Sequence, residues 1–572
     1  MQGGEAVSAT LKRESAVNKD RHQPSEFQAV DDAAYATMRQ FFIPGLALVF
    51  VKDGRVVYQK GFGLTELNSE LKTELHHGSP VDSATLFKVG SISKSITALA
   101  LALLVQEGKV KWNDPLSRHI PELNEANPLV AKLTIRQILS HQTGLDLDQL
   151  EPLLWPQPNQ FQFENLVAGL NVLGESVKDG NLFKYSNLNY ALAGEIVRRA
   201  SGLSYGEFVQ HRIFKPLDMG CIVSDKNSVS RARLAQPHML IAGAAQMVRP
   251  DDEPAGNPVG KPALDVVGKP ALDVVGKRAD GPAHEGLDAA AGGIRCDAQA
   301  MGKWLLFQLS PRTSRLKIAD AIWKDIHSGL VVTRTVFDDA LRPIEVEAYG
   351  LGIQFVVAGD EFRFDHYGGV AGMLAYYAVY PSRGTGFAIL MNMNAVAARK
   401  LLIERLAGLA TSKKLTGSPV HAARAVRALA FSGATVTAIE PGIAALIRTK
   451  DLDAKSDEKL LGLYQDAWFG HVSLCRTSNG AAFTSLLSPR FSGRLMLINS
   501  TEPESESESE SEPKPAPNRM TILWDDQAIN SDAVVNVAEI GNARVQRFTL
   551  TPMAESDFDF SAMNFQRIGD CP

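Results

Sequence analysis

Hydrophobic and polar positions follow two kinds of pattern along the chain, and each predicts a different element. Two β-rich runs between residues 45 and 63 are joined by Asp53-Gly54, a dipeptide typical of hairpin turns. From Ser91 to about Glu107 the pattern is helical, and Gly108 is placed to end that helix. Other helices are predicted at about 27–42, 188–200 and 396–410, the second of them ending at Gly202.

Strand-like runs return late in the chain, at 349–357, 361–366, 374–380 and 386–393. Strands at both ends and helices in the middle predict an α+β domain whose sheet is assembled from both ends of the segment. Beyond about residue 455 the sequence pattern changes to short segments of alternating hydrophobic and polar residues, separated by turn residues. This texture is typical of a small all-β barrel or sandwich.

Polar and repetitive segments divide the chain. We expect a flexible N-terminus at 1–25, a first domain at 26–412, a linker at 413–454 and a β-domain at 455–572. The octapeptide VGKPALDV occurs in tandem at 259–266 and 267–274, which favours a loop insertion at about 245–285. The run ESESESESE at 504–512 predicts a solvated acidic loop at 502–516.

Composition restricts the function classes. The chain has 572 residues, of which 45% are hydrophobic and 22% are charged, with a net charge of only −5. These values are typical of globular proteins, and they give no reason to expect nucleic acid or a membrane as a partner. Four scattered cysteines predict reduced thiols rather than a disulfide framework or a zinc site. The first 24 residues have no apolar core, and the longest apolar run, 96–105, is shorter than the roughly 20 residues of a membrane span. A cytoplasmic location is therefore expected.

The first chemical signal is Ser91-x-x-Lys94 at the start of an apolar helix. Residues three apart share a helix face, so the lysine amine can reach the serine hydroxyl. A serine is a poor nucleophile until a base takes its proton, and burial can lower the pKa of a lysine enough for that task. The alternative is an ordinary helix N-cap with a lysine one turn later.

Two further signals are weak on their own. Tyr185 and Asn187 precede a predicted helix, where a tyrosine could serve as a base and an amide could hold a substrate carbonyl; the alternative is a core aromatic beside a helix cap. The segment 366–369, His-Tyr-Gly-Gly, lies between two strand-like runs. Its glycines leave room for a substrate at a strand edge, and Gly369 could offer an N–H to an oxyanion; the alternative is a glycine-rich bulge or turn.

In the order S-x-x-K, Y-x-N, H-x-G these motifs resemble the superfamily of class C β-lactamases and D-alanyl-D-alanine carboxypeptidases. That group also holds family VIII carboxylesterases, D-aminopeptidases and transacylases similar to the statin acyltransferase. The resemblance covers about 27–412 and extends to four further stretches: LTIRQILSHQTGL at 133–145, PLDMG at 216–220, AGG at 291–293 and YGLG at 349–352. It implies an antiparallel sheet flanked by helices plus an all-helical region, and the trailing segment resembles a lipocalin-like barrel.

The resemblance also implies residue roles. Ser91 is the nucleophile, Lys94 and Tyr185 share the general-base work, and Asn187 contacts the substrate carbonyl. The N–H groups of Ser91 and Gly369 form the oxyanion hole, and Gly368 keeps the strand edge open.

At the third motif, His366 stands where relatives have Lys or His, and would orient the substrate or its carboxylate. Tyr367 replaces the usual Thr, whose hydroxyl helps to bind a carboxylate. An aromatic residue there favours esters or bulky amides over penicillin-type substrates.

Three other features have plainer interpretations. Gly202-x-Ser204-x-Gly206 matches a nucleophile elbow, but a helix precedes it, and Ser204 with Glu207 predicts a capping box. His141 sits in a turn, where we expect backbone support. His76-His77 has no partner at ligand spacing, so no metal site is expected there.

The leading functional hypothesis is a serine hydrolase that cleaves an ester or amide through an acyl-Ser91 intermediate, without cofactor or metal. One alternative is an acyltransferase that passes the acyl group to a small alcohol or amine. Another is an inactive binding scaffold. The expected partners are a small-molecule ester, an amide or a short peptide, with a homo-oligomer as a candidate assembly.

Overall fold

The structure of the protein is a computed structural model. It describes residues 25–67, 78–145, 147–155, 160–173, 183–223, 230, 233–241, 244–247, 286–338, 341–370, 372–411, 449–451, 459–477, 480–488, 490–498, 519–524, 533–541, 544–552, 560 and 562–571. Most of the predicted loop insertion and linker, the acidic loop, the segment 1–24 and His76-His77 lie outside the described residues.

The first domain carries all the α-helices of the described residues. They are α1 Ser25–Phe41, α2 Ser93–Gln106, α3 Leu123–Ala126, α4 Pro128–Lys132, α5 Ile135–Leu139, α6 Phe163–Val172, α7 Leu188–Ser201, α8 Tyr205–Val209, α9 Lys215–Leu217, α10 Ala289–Gly292, α11 Ala298–Leu309, α12 Asp320–Ile326 and α13 Val396–Ala410. Its strands are β1 Gly45–Lys52, β2 Arg55–Gly63, β3 Phe87–Lys88, β4 Ile222–Val223, β5 His238–Ile241, β6 Ala244–Met247, β7 Ile294–Cys296, β8 Val331–Phe337, β9 Pro343–Tyr349, β10 Gln354–Ala358, β11 Glu361–Val370, β12 Met373–Tyr380 and β13 Thr385–Met391.

Eight strands form one antiparallel sheet in the order β2-β1-β13-β12-β11-β10-β9-β8. The early hairpin joins the late strands through the β1–β13 pair, in which Leu46 lies opposite Met391. The predicted α+β domain with a sheet assembled from both ends is therefore confirmed. The run expected at 349–357 is divided between β9 and β10, because Gly352 adopts φ +71° and turns the chain there.

Both faces of this sheet are covered. Along β1, Leu46 and Leu48 pack into one hydrophobic cluster with α1 and α13, whereas Ala47 and Val49 pack into the other cluster with α2 and α11. Alternate residues of a strand point to opposite faces, so a continuously apolar strand indicates burial on both sides. The result is a three-layer domain with α2 at the centre of one helical layer.

The eight strands that follow residue 461 close into an antiparallel barrel. These strands are β15 Gly462–Asp466, β16 Gly470–Thr477, β17 Gly480–Ser485, β18 Ser492–Ile498, β19 Arg519–Trp524, β20 Ala533–Gly541, β21 Arg544–Pro552 and β22 Asn564–Gly569, preceded by the short β14 Thr449–Asp451. Each pairs with the next, and β15 pairs with β22 to close the ring. Buried aromatic rings such as Trp468, Phe483 and Phe565 fill its core. The lipocalin-like barrel is thus confirmed, and of the two β architectures considered it is the barrel.

The barrel docks on the helical part of the first domain. The rings of Phe161 and Phe469 lie 5.3 Å apart between centroids. The Gln160 N–H donates to the Leu487 carbonyl at 2.6 Å, and the Asn165 side-chain amide donates to the Trp468 carbonyl at 2.9 Å. These contacts hold the start of α6 against one end of the barrel.

The expectation of reduced thiols is wrong. The cysteines form two disulfides, Cys221–Cys296 and Cys475–Cys571, each within one domain. The paired cysteines are 75 and 96 residues apart in sequence, so their spacing did not indicate the pairing. In the first domain, β4 pairs with β7, and this pairing brings the two sulfur atoms together.

In the described part of the chain, no helix has both the length and the apolarity that crossing a bilayer requires.

Candidate active site

Ser91 lies on a single 3₁₀ turn, Gly90–Ile92, which leads directly into α2. The turn fits tightly against β11. Gly90 adopts φ +53°, and a Cβ on it would stand 2.5 Å from the Gly369 amide nitrogen. A Cβ on Gly368 would overlap the Val89 carbonyl oxygen. Glycine at these two positions allows the strand to approach the nucleophile turn closely.

Lys94 lies one turn into the same helical segment, and its side chain is fully buried. Its Nζ atom contacts three oxygen acceptors: the Ser91 Oγ at 2.9 Å, the Asn187 Oδ1 at 2.6 Å and the Ala291 carbonyl at 3.0 Å. The Ala291 carbonyl belongs to α10, which ends within the AGG stretch at 291–293. The first two sequence motifs therefore meet at one amine.

Burial lowers the pKa of Lys94 from its ordinary 10.5 to about 7, although the nearby Glu151 carboxylate raises it in part. Removing an ammonium from water disfavours its charged form. At neutral pH, Lys94 is therefore divided between ammonium and free amine.

Tyr185 lies beside the same pair: its ring centroid is 4.9 Å from the Lys94 Nζ, and its phenol interacts with the Ser91 side chain, which lowers the phenol pKa. Desolvation by the surrounding protein raises the pKa of the Tyr185 phenol above its ordinary 10. The interaction with Ser91 lowers this pKa in part, whereas the Glu151 carboxylate raises it further. The residue as a whole still exposes 38% of its surface, so Tyr185 lies between the buried cluster and solvent. The phenol is neutral at neutral pH.

His141 packs against the ring of Tyr185. Their ring centroids are 4.3 Å apart, and the His141 Nδ1 accepts a hydrogen bond from the Ser186 backbone N–H at 3.1 Å. Burial lowers the pKa of His141 well below its ordinary range, and the charge of Lys94 adds to this effect. The expected backbone support is confirmed, and the supported element is the Tyr185–Asn187 segment.

Asn187 begins α7 without a side-chain capping bond. Its side chain lies between Lys94 and Glu151, a residue on the 3₁₀ helix Asp148–Leu153. The two Glu151 oxygens accept from the Asn187 backbone N–H at 3.2 Å and from its Nδ2 at 3.1 Å. Glu151 is only 7% exposed. Because the Asn187 NH2 group donates to Glu151, the amide presents its oxygen to Lys94.

His366 is buried on the face of β11 that looks toward α2, and both ring nitrogens are engaged. Its Nδ1 is 2.6 Å from the Tyr367 carbonyl and therefore carries the proton, while its Nε2 accepts from the Tyr349 hydroxyl at 2.9 Å. Burial lowers the pKa of His366 to about 3, and the charge of Lys94 contributes. This imidazole is neutral at pH 7.

Tyr367 points to the opposite face of the sheet. Its ring packs against Tyr376 with the centroids 4.7 Å apart, and the Arg399 guanidinium lies 4.9 Å from the Tyr367 ring centroid. Arg399 also donates to the Gly368 carbonyl at 2.7 Å. The segment 366–370 stays in register with β12, so it is neither bulge nor turn. Successive strand residues alternate between faces, so His366 and Tyr367 cannot both face Ser91.

The competing serine does not contribute to this cluster. Ser204 caps α8, accepts from the Glu207 N–H at 3.2 Å and has its own N–H held by the Glu207 carboxylate at 2.9 Å, so the predicted capping box is confirmed. Among the described residues, no group of three or more His, Cys, Asp or Glu side chains has an arrangement suited to a metal ion.

Three residues that contact or border the Ser91, Lys94 and Asn187 cluster were not given a role from sequence. Glu151 has no motif of its own and meets Asn187 only through folding. The Ala291 carbonyl belongs to the AGG stretch, where a backbone oxygen leaves no side-chain signal. Trp155 packs its ring over Gly292, close to the backbone of Gly90.

Comparison with known proteins agrees with this arrangement. The family described as Beta-lactamase matches residues 30–410, about two thirds of the chain. The chain belongs to the β-lactamase family. The expected superfamily is thus confirmed, and Ser91, Lys94, Tyr185 and Asn187 all lie within the β-lactamase family match.

Individual relatives of this β-lactamase family member are distant. Protein flp of Staphylococcus aureus (strain NCTC 8325 / PS 47) is 23% identical over 387 residues, covering 66% of this chain and 65% of that protein. Unguisins hydrolase ungD' of Aspergillus campestris is 27% identical over 189 residues, covering 32% of this chain and 34% of that protein. The matched regions thus span about one third to two thirds of these relatives.

Among solved structures, an octameric penicillin-binding protein homologue from Pyrococcus abyssi superposes with a TM-score of 0.53 at 18% identity. The superposition covers 94% of this chain and 99% of the Pyrococcus abyssi chain. At this identity the likeness concerns the fold, and it extends over both domains.

Proposed function

We propose that this protein is a serine hydrolase that cleaves an ester or amide bond through a covalent acyl-Ser91 intermediate. One observation carries the proposal: the buried Lys94 Nζ lies 2.9 Å from the Ser91 Oγ, and its other two contacts are carbonyl-type oxygens. This arrangement determines where the lone pair of a neutral amine points.

A free amine has two hydrogens and one lone pair. The Asn187 Oδ1 and the Ala291 carbonyl can only accept, so each takes one hydrogen of the neutral Lys94 amine. The lone pair is left facing the Ser91 hydroxyl, from which it can remove the proton. With a pKa of about 7, a large fraction of Lys94 holds this form at neutral pH.

The reaction then runs in two stages. The Ser91 Oγ attacks the substrate carbonyl carbon while its proton passes to the Lys94 amine. The bond to the leaving alcohol or amine breaks, and that group takes the proton back through the Tyr185 hydroxyl. In the second stage a water molecule, deprotonated by the same groups, attacks the acyl carbon and releases the acid and Ser91.

Tyr185 acts in this scheme as a proton relay and not as a phenolate, because its raised pKa keeps it protonated. Gly369 and Ser91 would donate their backbone N–H groups to the oxyanion; the close approach of the two segments supports this role, since a Cβ on Gly90 would stand 2.5 Å from the Gly369 amide nitrogen. Loss of such a donor costs about 3–4 kcal/mol of barrier.

Covalent labelling tests the proposal. A fluorophosphonate probe should label the wild-type protein, and Ser91→Ala should abolish labelling and turnover of small esters while the thermal midpoint is retained. Ser204→Ala is the matched control and should still be labelled. Labelling that persists in Ser91→Ala but disappears in Ser204→Ala would overturn the assignment.

Location and assembly are separate proposals. The two disulfides favour an oxidising compartment over the cytoplasmic location expected from the sequence, because disulfides persist mainly in such compartments. Self-association is proposed because the Pyrococcus abyssi relative is described as octameric. Thiol labelling of the protein in its native cells tests the location, and light scattering of the purified protein tests the self-association.

A further inference from the structure

The barrel and the first domain share one hydrophobic core. Phe469 belongs to the barrel core, where its ring packs against Phe491 and Phe565 with centroid distances of 5.3 and 6.0 Å, and it also packs against Phe161 of the first domain at 5.3 Å. Phe161 and Phe469 are 2% and 1% exposed. Domains joined through a small polar interface move relative to each other, whereas a buried apolar contact holds them together.

The barrel presents this contact on a turn that one of its own side chains fixes. One oxygen of the Asp466 carboxylate accepts from the backbone N–H groups of Trp468 and Phe469 at 2.9 and 2.8 Å, and the other accepts from the Asn564 N–H at 2.7 Å. The Trp468 carbonyl then accepts from the Asn165 amide of the first domain at 2.9 Å. The docked end of the barrel is therefore a defined surface.

On the first domain, the docked residues belong to the helix that supports one side of the site. Asn165 lies in the first turn of α6. One turn later, a Cβ on Gly169 would stand only 2.8 Å from the Leu150 Cδ2. The missing side chain at Gly169 thus lets the 3₁₀ helix Asp148–Leu153 lie directly on α6.

This 3₁₀ helix and the residues that follow it border the proposed acylation site. Glu151 accepts from the backbone N–H and the Nδ2 of Asn187, whose Oδ1 accepts from the Lys94 Nζ at 2.6 Å. The Trp155 N–H donates to the Glu151 carbonyl at 3.2 Å, and the Trp155 ring lies over Gly292. The position of this segment therefore determines where the Asn187 amide, and with it one acceptor of the Lys94 amine, is held.

We propose that docking of the barrel positions the hydrolase site, with Phe161 and Phe469 as positioning residues that act through Glu151 and Asn187 on the Lys94 amine. This inference rests on the proposed role of Lys94 as the base. Each step is a direct contact between packed or hydrogen-bonded groups, so a displacement at the docked end can reach the nucleophile. A displacement of about 1 Å at a catalytic group can cost about 100-fold in rate.

A double-mutant cycle measures this coupling in the full chain. Glu151→Gln should lower the pH midpoint of kcat/KM for p-nitrophenyl butyrate, because the Glu151 charge raises the pKa of Lys94. In the Phe469→Ala background Glu151 is no longer held in place, so Glu151→Gln should shift the midpoint by less than half as much. The plateau of kcat/KM in Phe469→Ala itself should fall by about tenfold or more.

Phe548→Ala is the matched control. Phe548 is fully buried, and its ring packs against Tyr464 and Phe565 inside the barrel, so its loss leaves a cavity of the same kind while the Phe161–Phe469 contact is kept. In this background the full midpoint shift and the plateau of kcat/KM should be retained.

A second readout does not depend on catalysis. Amide hydrogen exchange of residues 147–155, followed by mass spectrometry at a temperature where all variants are folded, should be faster in Phe469→Ala than in the wild-type protein. The exchange rate of the same segment should be unchanged in Phe548→Ala.

The outcomes are distinct. The inference is overturned by an equal Glu151→Gln shift in the Phe469→Ala and Phe548→Ala backgrounds, by equal exchange of 147–155 in these two variants, or by a Glu151→Gln variant whose midpoint stays at the wild-type pH. If Phe469→Ala does not fold, Phe469→Leu and Phe548→Leu give the same comparison with smaller cavities. If the wild-type protein forms no acyl group on Ser91, the proposed function fails, and the exchange of 147–155 still decides whether the barrel positions this segment.

Discussion

The Lys94 amine lies 2.9 Å from the Ser91 hydroxyl oxygen in a position where no part of the lysine side chain reaches solvent. Burial supplies the lowered pKa, and two carbonyl-type acceptors direct the lone pair. A serine–lysine pair so arranged needs no histidine in direct contact with the nucleophile. Several measurable consequences follow from these two residues and their neighbours.

The rate of acylation should depend on pH through Lys94. Only the free amine can accept the serine proton, so kcat/KM for an uncharged ester should rise with pH to a plateau, with a midpoint at about 7. Tyr185 has a pKa above its ordinary 10, so its ionisation should not reduce the rate below that pH. A rate independent of pH between 5 and 9, or one that falls as pH rises through 7, would contradict the role of Lys94 as base.

The same profile should move when Glu151 is neutralised. Its charge raises the pKa of Lys94, so Glu151→Gln should shift the midpoint of the kcat/KM profile to lower pH. Glu195→Gln is the control: it alters a buried carboxylate that pairs with Arg198 on α7, and it should leave the midpoint of the kcat/KM profile unchanged. A midpoint that moves upward, or does not move, would show that the carboxylate does not act on Lys94.

Removal of the Tyr185 hydroxyl should slow catalysis without disturbing the fold. Tyr185→Phe keeps the ring that packs against His141 with the centroids 4.3 Å apart, but it interrupts the proton relay, so kcat should fall by about 10²–10⁴-fold. Tyr190→Phe is the control, because that buried hydroxyl donates to the Leu139 carbonyl. The control should lose about 1 kcal/mol of stability and keep its kcat within a few-fold.

Gly368 should tolerate no side chain. A Cβ there would overlap the Val89 carbonyl oxygen, so Gly368→Ala should destabilise the first domain by about 1–3 kcal/mol and displace the nucleophile turn. Gly369→Ala is the comparison for stability, since its Cβ would meet only the Leu374 side chain at 3.5 Å. Thermal unfolding followed by circular dichroism measures both, and equal midpoints would contradict the close fit.

The Cys221–Cys296 disulfide should stabilise the strand that leads to Ser91. Cys296 lies opposite Phe87 of β3, four residues before the nucleophile. Replacing both cysteines by serine should cost about 2–4 kcal/mol and slow acylation. Replacing the barrel pair Cys475 and Cys571 should destabilise the barrel and leave acylation of small esters nearly unchanged. Equal effects of the two double variants on acylation would refute the link between β7 and Ser91.

The local elements were largely predictable from sequence, because local spacing carries them. The helix after Ser91 ends before Gly108, α7 ends at Gly202 with φ +74°, and the early hairpin turns at Asp53-Gly54. The barrel was predictable as a kind of fold from its short alternating strands. Its closure through β15 and β22 was not, since strand partners distant in sequence leave no local signal.

The candidate site was predictable to the extent that its motifs have side chains at characteristic spacing. Ser91, Lys94, Tyr185 and Asn187 do lie together, and their roles in catalysis stay predictions. The face of β11 that holds Tyr367 was misjudged, because a motif read as letters does not show that neighbouring strand residues point apart.

Other parts of the site had no sequence signal. Glu151 and the disulfide partners were missed for the same reason, since contacts made by tertiary folding between distant segments have no periodicity.

The most direct test is to trap the acyl-enzyme. The purified protein is mixed with p-nitrophenyl butyrate, quenched in acid within the first turnovers, and analysed by intact mass and peptide mapping. One butyryl group on Ser91, absent from Ser91→Ala and much reduced in Lys94→Met, is the predicted result. Turnover of the ester by folded protein with no adduct on Ser91, or with the adduct on another residue, would contradict the proposed mechanism.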